Sequence, residues 1–262
     1  AAHPGTAELV TQAIERAIEK TGMPAGVFSL LQGKNYGIAS QIVKHPLVKA
    51  VGFTGSERVG MILQQQINER PEPIPFYGEL GSVNPQFVMP GKTAADAAGI
   101  AQGLVASLMM GQGQFCTSPG VWLVVEDDNY ASFEKAAAEA VAATEAGVML
   151  TPAMASSYKQ AVAQWQTLSG VEMIAQGQAG VEHFCQAAVF ATDVETFKLQ
   201  HTLQEEVFGS SALIVRCKDL TEMQSAIALF KGNLTASIHA EDSDLADSRK
   251  IAGEVVHKVG RL

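Results

Sequence analysis

The chain has 262 residues, of which 47% are hydrophobic and 17% charged, a composition typical of a globular protein with one large core or two moderate ones. Its formal net charge is −9 and its few Lys and Arg residues are scattered, so neither a nucleic-acid surface nor an anionic-membrane surface is expected. The longest apolar region, residues 97–110, is interrupted by Gly and polar residues and is too short to span a bilayer, so no membrane segment is predicted.

The first third of the chain alternates helical and strand patterns. Thr6 is expected to cap the first helix, and Pro71 to end the third, in which Val59, Ile62 and Leu63 face inward. The predicted elements are a helix over 6–20, a strand over 27–31, a helix from about Tyr36 to Lys44, a strand over 50–53 and a helix over 56–70. This alternation predicts right-handed βαβ units and a doubly wound parallel sheet, the α/β class.

The strand over 50–53 runs directly into Thr54, Gly55 and Ser56 at the start of a helix. Unpaired N–H groups and the helix dipole make such a turn suitable for an anion such as a phosphate. With only one Gly of a dinucleotide fingerprint in place, this signal is weak, and the pattern is more typical of an ordinary βα turn.

Glu79 lies between two glycines at the end of an apolar strand that begins near Phe76. Because ligand sites in open α/β sheets lie at the carboxyl ends of strands, a carboxylate with apolar neighbours there is a candidate general base. A helix cap or a surface residue is the alternative reading of Glu79.

The second part continues the α/β alternation after a boundary near residues 80–84. Thr235, in the strand over 234–238, is assigned a structural role only. The predicted strands cover 85–89, 121–125, 171–174, 187–191, 213–215, 234–238 and a start at 258; the predicted helices cover 93–110, 130–144, 153–166, 221–230 and 244–251.

Cys116 lies in the Gly-rich stretch 111–120, between a long helical pattern and a strand. Small, conformationally free residues around it would expose the sulfur of a nucleophile, whereas a buried structural cysteine is the simpler alternative. The other cysteines, Cys185 and Cys217, are read as core or incidental residues. Three widely separated cysteines and six isolated histidines indicate a reducing compartment and predict no metal site.

Five motifs together resemble the NAD(P)-dependent aldehyde dehydrogenase superfamily over essentially the whole chain. They begin at Phe53 (FTGS), Glu79 (ELGSVNP), Gly113 (GQFCT), Pro119 (PG) and Glu206 (EVFG). The amino-acid sequence of residues 70–81 most resembles the branch of the α-ketoglutaric semialdehyde (2,5-dioxovalerate) and NADP-dependent fatty aldehyde dehydrogenases.

The resemblance implies a role for each matched residue. Cys116 would attack the aldehyde carbon as a thiolate, and Glu79 would activate the water that hydrolyses the resulting thioester. The cofactor, NADP or NAD with NADP slightly preferred, would contact Gly55, Ser56, Val59, Leu80, Glu206 and Phe208. Residues 1–81 would then be the C-terminal half of a Rossmann-like NAD(P)-binding domain, and 82–262 a catalytic domain truncated at its C-terminus.

Departures from the family pattern also carry expectations. Ser210 stands where the family usually has Pro, which would loosen the loop after Glu206. The first half of the cofactor domain would lie upstream, so the chain is expected to be a fragment that is inactive alone. The full-length parent would be a cytoplasmic homo-oligomer that acts on a small aldehyde and binds neither nucleic acid nor membrane.

Two alternatives from other classes stay open. Cys116 could be the nucleophile of an acyl hydrolase or transferase without nicotinamide, which requires a nearby histidine that the sequence does not reveal. The chain could also be a non-catalytic structural domain that keeps the sequence motifs of an enzyme.

Overall fold

The computed structural model describes residues 3–33 and 37–262, and the chain divides into two compact units, Ala1–Leu80 and Gly81–Leu262. The assignment of the first unit to the cofactor and of the second to catalysis stays a prediction.

The first unit is a small α/β arrangement around one parallel strand pair. Phe53 and Phe76 of this pair pack against a core of Val43, Leu63 and Ile67, which two helices contribute. Strands β1 and β2 pair with Val51 opposite Phe76 and Thr54 opposite Glu79. The elements are α1 (Pro4–Thr21), α2 (Gly37–Lys44), β1 (Val51–Thr54), α3 (Glu57–Asn68) and β2 (Phe76–Glu79).

Several expectations for this unit are wrong. The run 27–31 forms no strand, because an apolar run becomes a strand only beside a sheet edge that accepts its backbone, and here Val27 N donates locally to Pro24 O. Thr6 does not cap α1, since Pro4 starts the helix at its first turn. Ile62 is exposed rather than inward, and no residue of α1 is buried. Tyr36, the predicted start of α2, lies outside the described residues.

The second unit is built on a six-stranded sheet in the order β11-β3-β4-β9-β8-β6. All neighbours in it are parallel except β6, which runs antiparallel to β8 at one edge. The strands are β3 (Gln86–Val88), β4 (Val121–Val125), β5 (Gly147–Val148), β6 (Glu172–Gln176), β7 (Phe184–Cys185), β8 (Ala188–Asp193), β9 (Ser211–Cys217), β10 (Asn233–Thr235), β11 (Ser237–His239) and β12 (Val259–Arg261).

Helices cover both faces of this sheet, which confirms the α/β class. The doubly wound sheet was predicted from the first third of the chain, whose unit has a single strand pair. The helices are α4 (Pro90–Met109), α5 (Tyr130–Ala142), α6 (Pro152–Thr167), α7 (Val194–Leu199), α8 (Leu220–Ala226) and α9 (Leu245–Val255). One face buries Leu104 and Phe133 of α4 and α5, and the other buries Trp165, Phe197 and Met223 of α6, α7 and α8. The central strands β4, β8 and β9 are buried on both sides, as parallel strands usually are.

The predicted strand over 234–238 is divided at Ala236 into two strands that join different sheets. Strand β10 pairs with β12, whereas β11 pairs with β3. A break of this kind is decided by the pairing partners, which a local pattern does not contain. The sequence analysis also missed β5, β7 and the six-residue helix α7, all of them short elements.

The segment Pro90–Gly113, which contains α4, is long and apolar enough to cross a membrane by length and composition alone. The prediction of no membrane segment counted only residues 97–110 of it. In this fold α4 buries Ala101, Leu104 and Leu108 against the sheet and against α5, as the core helix of an α/β domain does.

Candidate active site

Three consecutive residues between α4 and the candidate nucleophile have left-handed backbone conformations. Gly111, Gln112 and Gly113 have φ angles of 55°, 58° and 66°. Left-handed conformations are readily adopted by Gly and cost a side-chain-bearing residue such as Gln112 conformational energy. Residues 114–118 therefore do not continue the helix and lie just before β4, at the amino end of the parallel strands.

Cys116 lies in a tight turn, the thiol turn, formed by residues 115–118. The Ser118 backbone N–H closes the turn by donating to Phe115 O at 3.1 Å. Cys116 is exposed, whereas Cys185 and Cys217 are 1% and 0% exposed. Burial raises the pKa of the Cys185 and Cys217 thiols. Cys116 is therefore the one cysteine of the three that a substrate can reach, against the alternative reading of a buried structural cysteine.

Glu206 begins the second loop of the site and is partly buried. Burial raises the pKa of its carboxyl, and a hydrogen bond from the Ser82 backbone opposes that shift. Glu206 also lies over Gly81, where a Cβ atom would be 3.4 Å from the Glu206 carboxylate.

The Glu206 loop contacts the segment that leads into the thiol turn through backbone alone. A Cβ atom on Gly113 would overlap the Gly209 carbonyl and lie 2.5 Å from Ser210 N. Gly209 has a φ of 154° and packs under the ring of Tyr158. The two loops are thus held at a separation that only glycine at 113 permits.

Ser210, which replaces the Pro of the family pattern, is fully buried. Its carbonyl accepts hydrogen bonds from Ala188 N at 3.0 Å and from Tyr158 Oη at 3.1 Å. Burial is also the main cause that raises the pKa of Tyr158, which keeps its hydroxyl a donor. Hydrogen bonds fix the backbone at Ser210, whereas the ring of a proline would fix it in the family pattern.

The thiol turn and the Glu206 loop line one cleft. Its enclosed part has a volume of about 20 Å³, the size of a single water molecule, so a larger group would have to lie at its open side. Ser82, Gly113, Phe115, Ser118, Glu206, Phe208 and Ser211 belong to its lining. Two of the predicted cofactor residues, Glu206 and Phe208, therefore line the same cleft as Phe115 and Ser118 of the thiol turn.

The other predicted cofactor residues lie in the first unit. Gly55 and Ser56 are exposed at the start of α3, and Ser56 is its N-cap residue, although its hydroxyl makes no capping hydrogen bond. Val59 is partly buried against the core of that unit. Leu80 contacts α3 at Gly60, where a Cβ atom would be 3.3 Å from Leu80 Cγ.

Glu79 ends strand β2, and its carbonyl accepts a hydrogen bond from Gly55 N at 3.1 Å. The expectation of shielding by apolar neighbours is wrong, because Glu79 is exposed and β2 belongs to a sheet of only two strands. The exposed position agrees with the alternative reading of a surface residue and leaves its role as a base untested.

The histidines give no support to a cysteine hydrolase. His239 contacts Gln86 Oε1 at 3.0 Å, and burial, followed by Lys92, lowers its pKa. His45 Nδ1 accepts from Leu47 N at 3.2 Å. Among the hydrogen bonds of residues 3–33 and 37–262, none joins an imidazole to Cys116. The same residues hold no group of three or more His, Cys, Asp or Glu arranged for a metal ion.

Asn84 is a residue of this site to which the sequence analysis gave no role. It is 1% exposed, and its side-chain amide binds backbone carbonyls of the thiol turn. The sequence showed only that Asn84 is a polar residue within the motif ELGSVNP, close to the predicted boundary between the domains.

Comparison with known proteins shows similarity along nearly the whole chain. Residues 3–255 match the model of the Aldehyde dehydrogenase family. The chain is 44% identical to alpha-ketoglutaric semialdehyde dehydrogenase 2 of Azospirillum brasilense over its entire length. It is 37% identical to alpha-ketoglutaric semialdehyde dehydrogenase of Acinetobacter baylyi over 99% of its length. The chain spans about half of these two relatives, 50% and 49% of their lengths.

Solved structures share the fold at lower identity. An NAD-dependent benzaldehyde dehydrogenase from Corynebacterium glutamicum aligns with a TM-score of 0.77 and 22% identity, over 94% of this chain and 53% of that one. A succinic semialdehyde dehydrogenase from Streptococcus pyogenes, in complex with NADP⁺, aligns with a TM-score of 0.76 and 20% identity, over 95% and 54%.

Proposed function

The chain belongs to the aldehyde dehydrogenase family, and from this membership we propose that its complete gene product oxidises an aldehyde to a carboxylate with NAD(P)⁺. The observation that carries the proposal is the cleft in which the exposed thiol turn of Cys116 and the Glu206 loop meet. A nucleophile and a cofactor-binding loop have to share one cleft for this chemistry.

In the proposed mechanism the Cys116 thiolate attacks the aldehyde carbon and forms a thiohemiacetal. Its oxyanion is held in part by the Cys116 backbone N–H. Glu206 and Phe208 would hold the nicotinamide, which would supply the acceptor for the hydride of this carbon. Cys116 then carries a thioester, which water hydrolyses to the carboxylate, and Glu79 takes a proton from that water.

The residues proposed to hold the cofactor are suited to its two ends. Ser56 offers an exposed helix start and a hydroxyl not used for capping, which suit the pyrophosphate, with Gly55, Val59 and Leu80 nearby in the chain. Glu206 offers a partly buried carboxylate that can accept hydrogen bonds from ribose hydroxyls, and Phe208 offers an apolar ring for the nicotinamide.

The finer proposals concern the substrate, the cofactor preference and the assembly. A short semialdehyde is the proposed substrate, because the relatives with 44% and 37% identity carry alpha-ketoglutaric semialdehyde dehydrogenase names. NADP is slightly preferred over NAD as the cofactor. A cytoplasmic homo-oligomer without nucleic-acid or membrane partners accords with the net charge of −9 and the free cysteines.

The decisive experiment measures aldehyde-dependent NAD(P)H absorbance with the complete gene product. Short semialdehydes and long-chain aldehydes are compared with NADP⁺ and then with NAD⁺. Cys116→Ala is expected to abolish the signal, whereas Cys185→Ala, at a buried cysteine, is expected to retain it. The 262-residue chain alone is expected to give no signal.

Turnover that survives Cys116→Ala would contradict the mechanism. Ester hydrolysis that depends on Cys116 but proceeds without a nicotinamide would favour the acyl hydrolase instead. Absence of any turnover in the complete gene product would favour the non-catalytic structural domain.

A further inference from the structure

The thiol turn is fixed from its buried side by the side chain of Asn84. The Asn84 Nδ2 amide donates one hydrogen bond to Cys116 O at 2.9 Å and another to Ser118 O at 2.9 Å. Both protons of the amide are therefore used on the turn. The turn's own hydrogen bond, from Ser118 N to Phe115 O, closes the same four-residue segment.

The orientation of the Asn84 amide is determined by the groups around its oxygen. Oδ1 lies 2.7 Å from Ser82 Oγ, 3.0 Å from Thr235 Oγ1 and 3.2 Å from Thr235 N. The Thr235 N–H can only donate, and the two carbonyls at Nδ2 can only accept, so the reversed amide would oppose donor to donor and acceptor to acceptor. Thr235 was predicted to have a structural role only. Its contacts with Asn84 Oδ1 make it part of the network that supports the thiol turn.

The backbone of residues 82–84 is fixed as well. Asn233 Oδ1 accepts from Val83 N at 2.8 Å and lies 3.3 Å from Asn84 N. Asn84 itself has a φ of 47°, a left-handed conformation that Asn tolerates better than most residues with a side chain. Its position is thus set by three separate stretches of the second unit.

We propose that Asn84 is a positioning residue for Cys116: by holding the carbonyls of Cys116 and Ser118, it fixes the direction in which the turn presents the sulfur. The carbonyl of Cys116 belongs to the peptide plane that leaves the nucleophile, so anchoring it limits rotation of the residue that carries the sulfur. This inference rests on the proposed role of Cys116 as the nucleophile. Asn84 acts through the backbone and not on the aldehyde.

Two substitutions remove the amide donors of Asn84 and each keep another feature of the residue. Asn84→Gly keeps the left-handed backbone without strain and deletes the amide. Asn84→Asp keeps the acceptor that faces Thr235, but it turns a carboxylate oxygen toward the two carbonyls. Asn129→Asp is the matched control, because the side chain of Asn129 makes no capping bond at the start of α5.

The first readout needs no substrate. Hydrogen exchange of the Ser118 amide reports whether the turn is closed, and the Trp122 amide in β4 reports on the sheet. Both Asn84 variants of the 262-residue chain are expected to exchange the Ser118 amide about tenfold faster or more, with protection of Trp122 retained. The control is expected to exchange both amides as the unaltered chain does.

The second readout uses the complete gene product. Both variants are expected to lower kcat about tenfold or more while KM for the nicotinamide cofactor changes by less than about twofold. Unchanged Ser118 exchange with unchanged kcat would overturn the proposal. Failure of both variants to fold, with Asn129→Asp folded, would also overturn it in favour of a purely structural Asn84. If the unaltered gene product has no activity with any aldehyde, the proposed function fails, whereas the exchange result still tests the contact.

Discussion

Gly113 and Gly209 are in such close backbone contact that no residue with a side chain fits at position 113. A Cβ atom there would overlap the Gly209 carbonyl, and the φ of 66° adds a second penalty for an L residue. Because Gly113 precedes the thiol turn and Gly209 follows Glu206, this contact sets the spacing of the two halves of the cleft.

Gly113→Ala is therefore expected to lower the free energy of unfolding of the second unit by about 2 kcal/mol or more. Urea denaturation followed by Trp fluorescence measures this unit specifically, since the chain's two tryptophans, Trp122 and Trp165, both lie in it. Gly103→Ala is the control, because the position is helical and open; it is expected to be neutral or to stabilise by up to about 1 kcal/mol. Equal effects of the two substitutions would refute the argument.

Tyr158→Phe tests the anchoring of Ser210. The buried hydroxyl lies 2.7 Å from Gln186 O and 3.1 Å from Ser210 O, and its loss leaves both carbonyls without this donor. A destabilisation of about 1–2 kcal/mol is expected from urea denaturation. Tyr77→Phe, at a residue that is 70% exposed, is expected to change nothing measurable. A neutral Tyr158→Phe would mean that Ser210 is held by its other contacts alone.

Glu206→Gln tests the raised pKa of Glu206. A carboxyl whose folded pKa exceeds its unfolded pKa binds more protons when folded, so stability falls as the pH rises through the window above the unfolded pKa. Glu206→Gln removes the ionisable carboxyl, and with it this loss of stability at high pH. It is expected to be more stable than the unaltered chain at pH 8, with the difference shrinking toward pH 4, as measured by urea denaturation at both values.

The exposed neighbour provides the control for that experiment. Glu205→Gln is expected to have the same free energy of unfolding as the unaltered chain at pH 4 and at pH 8. A Glu206→Gln variant that is less stable at pH 8 would show that the ionised carboxylate contributes favourably, contrary to the effect of burial.

Selective alkylation tests the exposure of the three cysteines. Iodoacetamide at pH 7 is expected to modify Cys116 and to spare Cys185 and Cys217, because both are buried and burial raises the pKa of both thiols. Peptide mass spectrometry identifies the labelled residue. In guanidinium chloride all three are expected to react, and labelling of Cys185 or Cys217 in the folded chain at the rate of Cys116 would contradict the structure.

Much of the second unit could be predicted from the sequence because its strands are buried runs and its helices are long. The run over 121–125 and the helix that begins at Tyr130 have strong local patterns, and both are present. The run over 27–31 has the same kind of pattern, yet it forms no strand, because pairing depends on a neighbour that the pattern does not contain. The division at Ala236 escaped prediction for the same reason.

The candidate site was predictable in its chemistry and less so in its support. Cys116 and Glu206 were identified by motif, and the structure places their loops on one cleft. The exposure of Glu79 was only the alternative reading of the sequence, since burial depends on what packs over a strand end. Asn84 was missed because its hydrogen bonds reach 32 and 34 residues along the chain to the thiol turn and 151 residues to Thr235.

The separation of 151 residues between Asn84 and Thr235 affects the order of folding. During synthesis from the N-terminus, Cys116 emerges long before Thr235, so the nascent chain carries the thiol while the network that orients it is incomplete. Contacts of such high sequence separation form late, after the costly closure of a long loop. The cysteine would thus acquire its final presentation only when strand β10 has docked, which delays assembly of the site until nearly the entire second unit has been made.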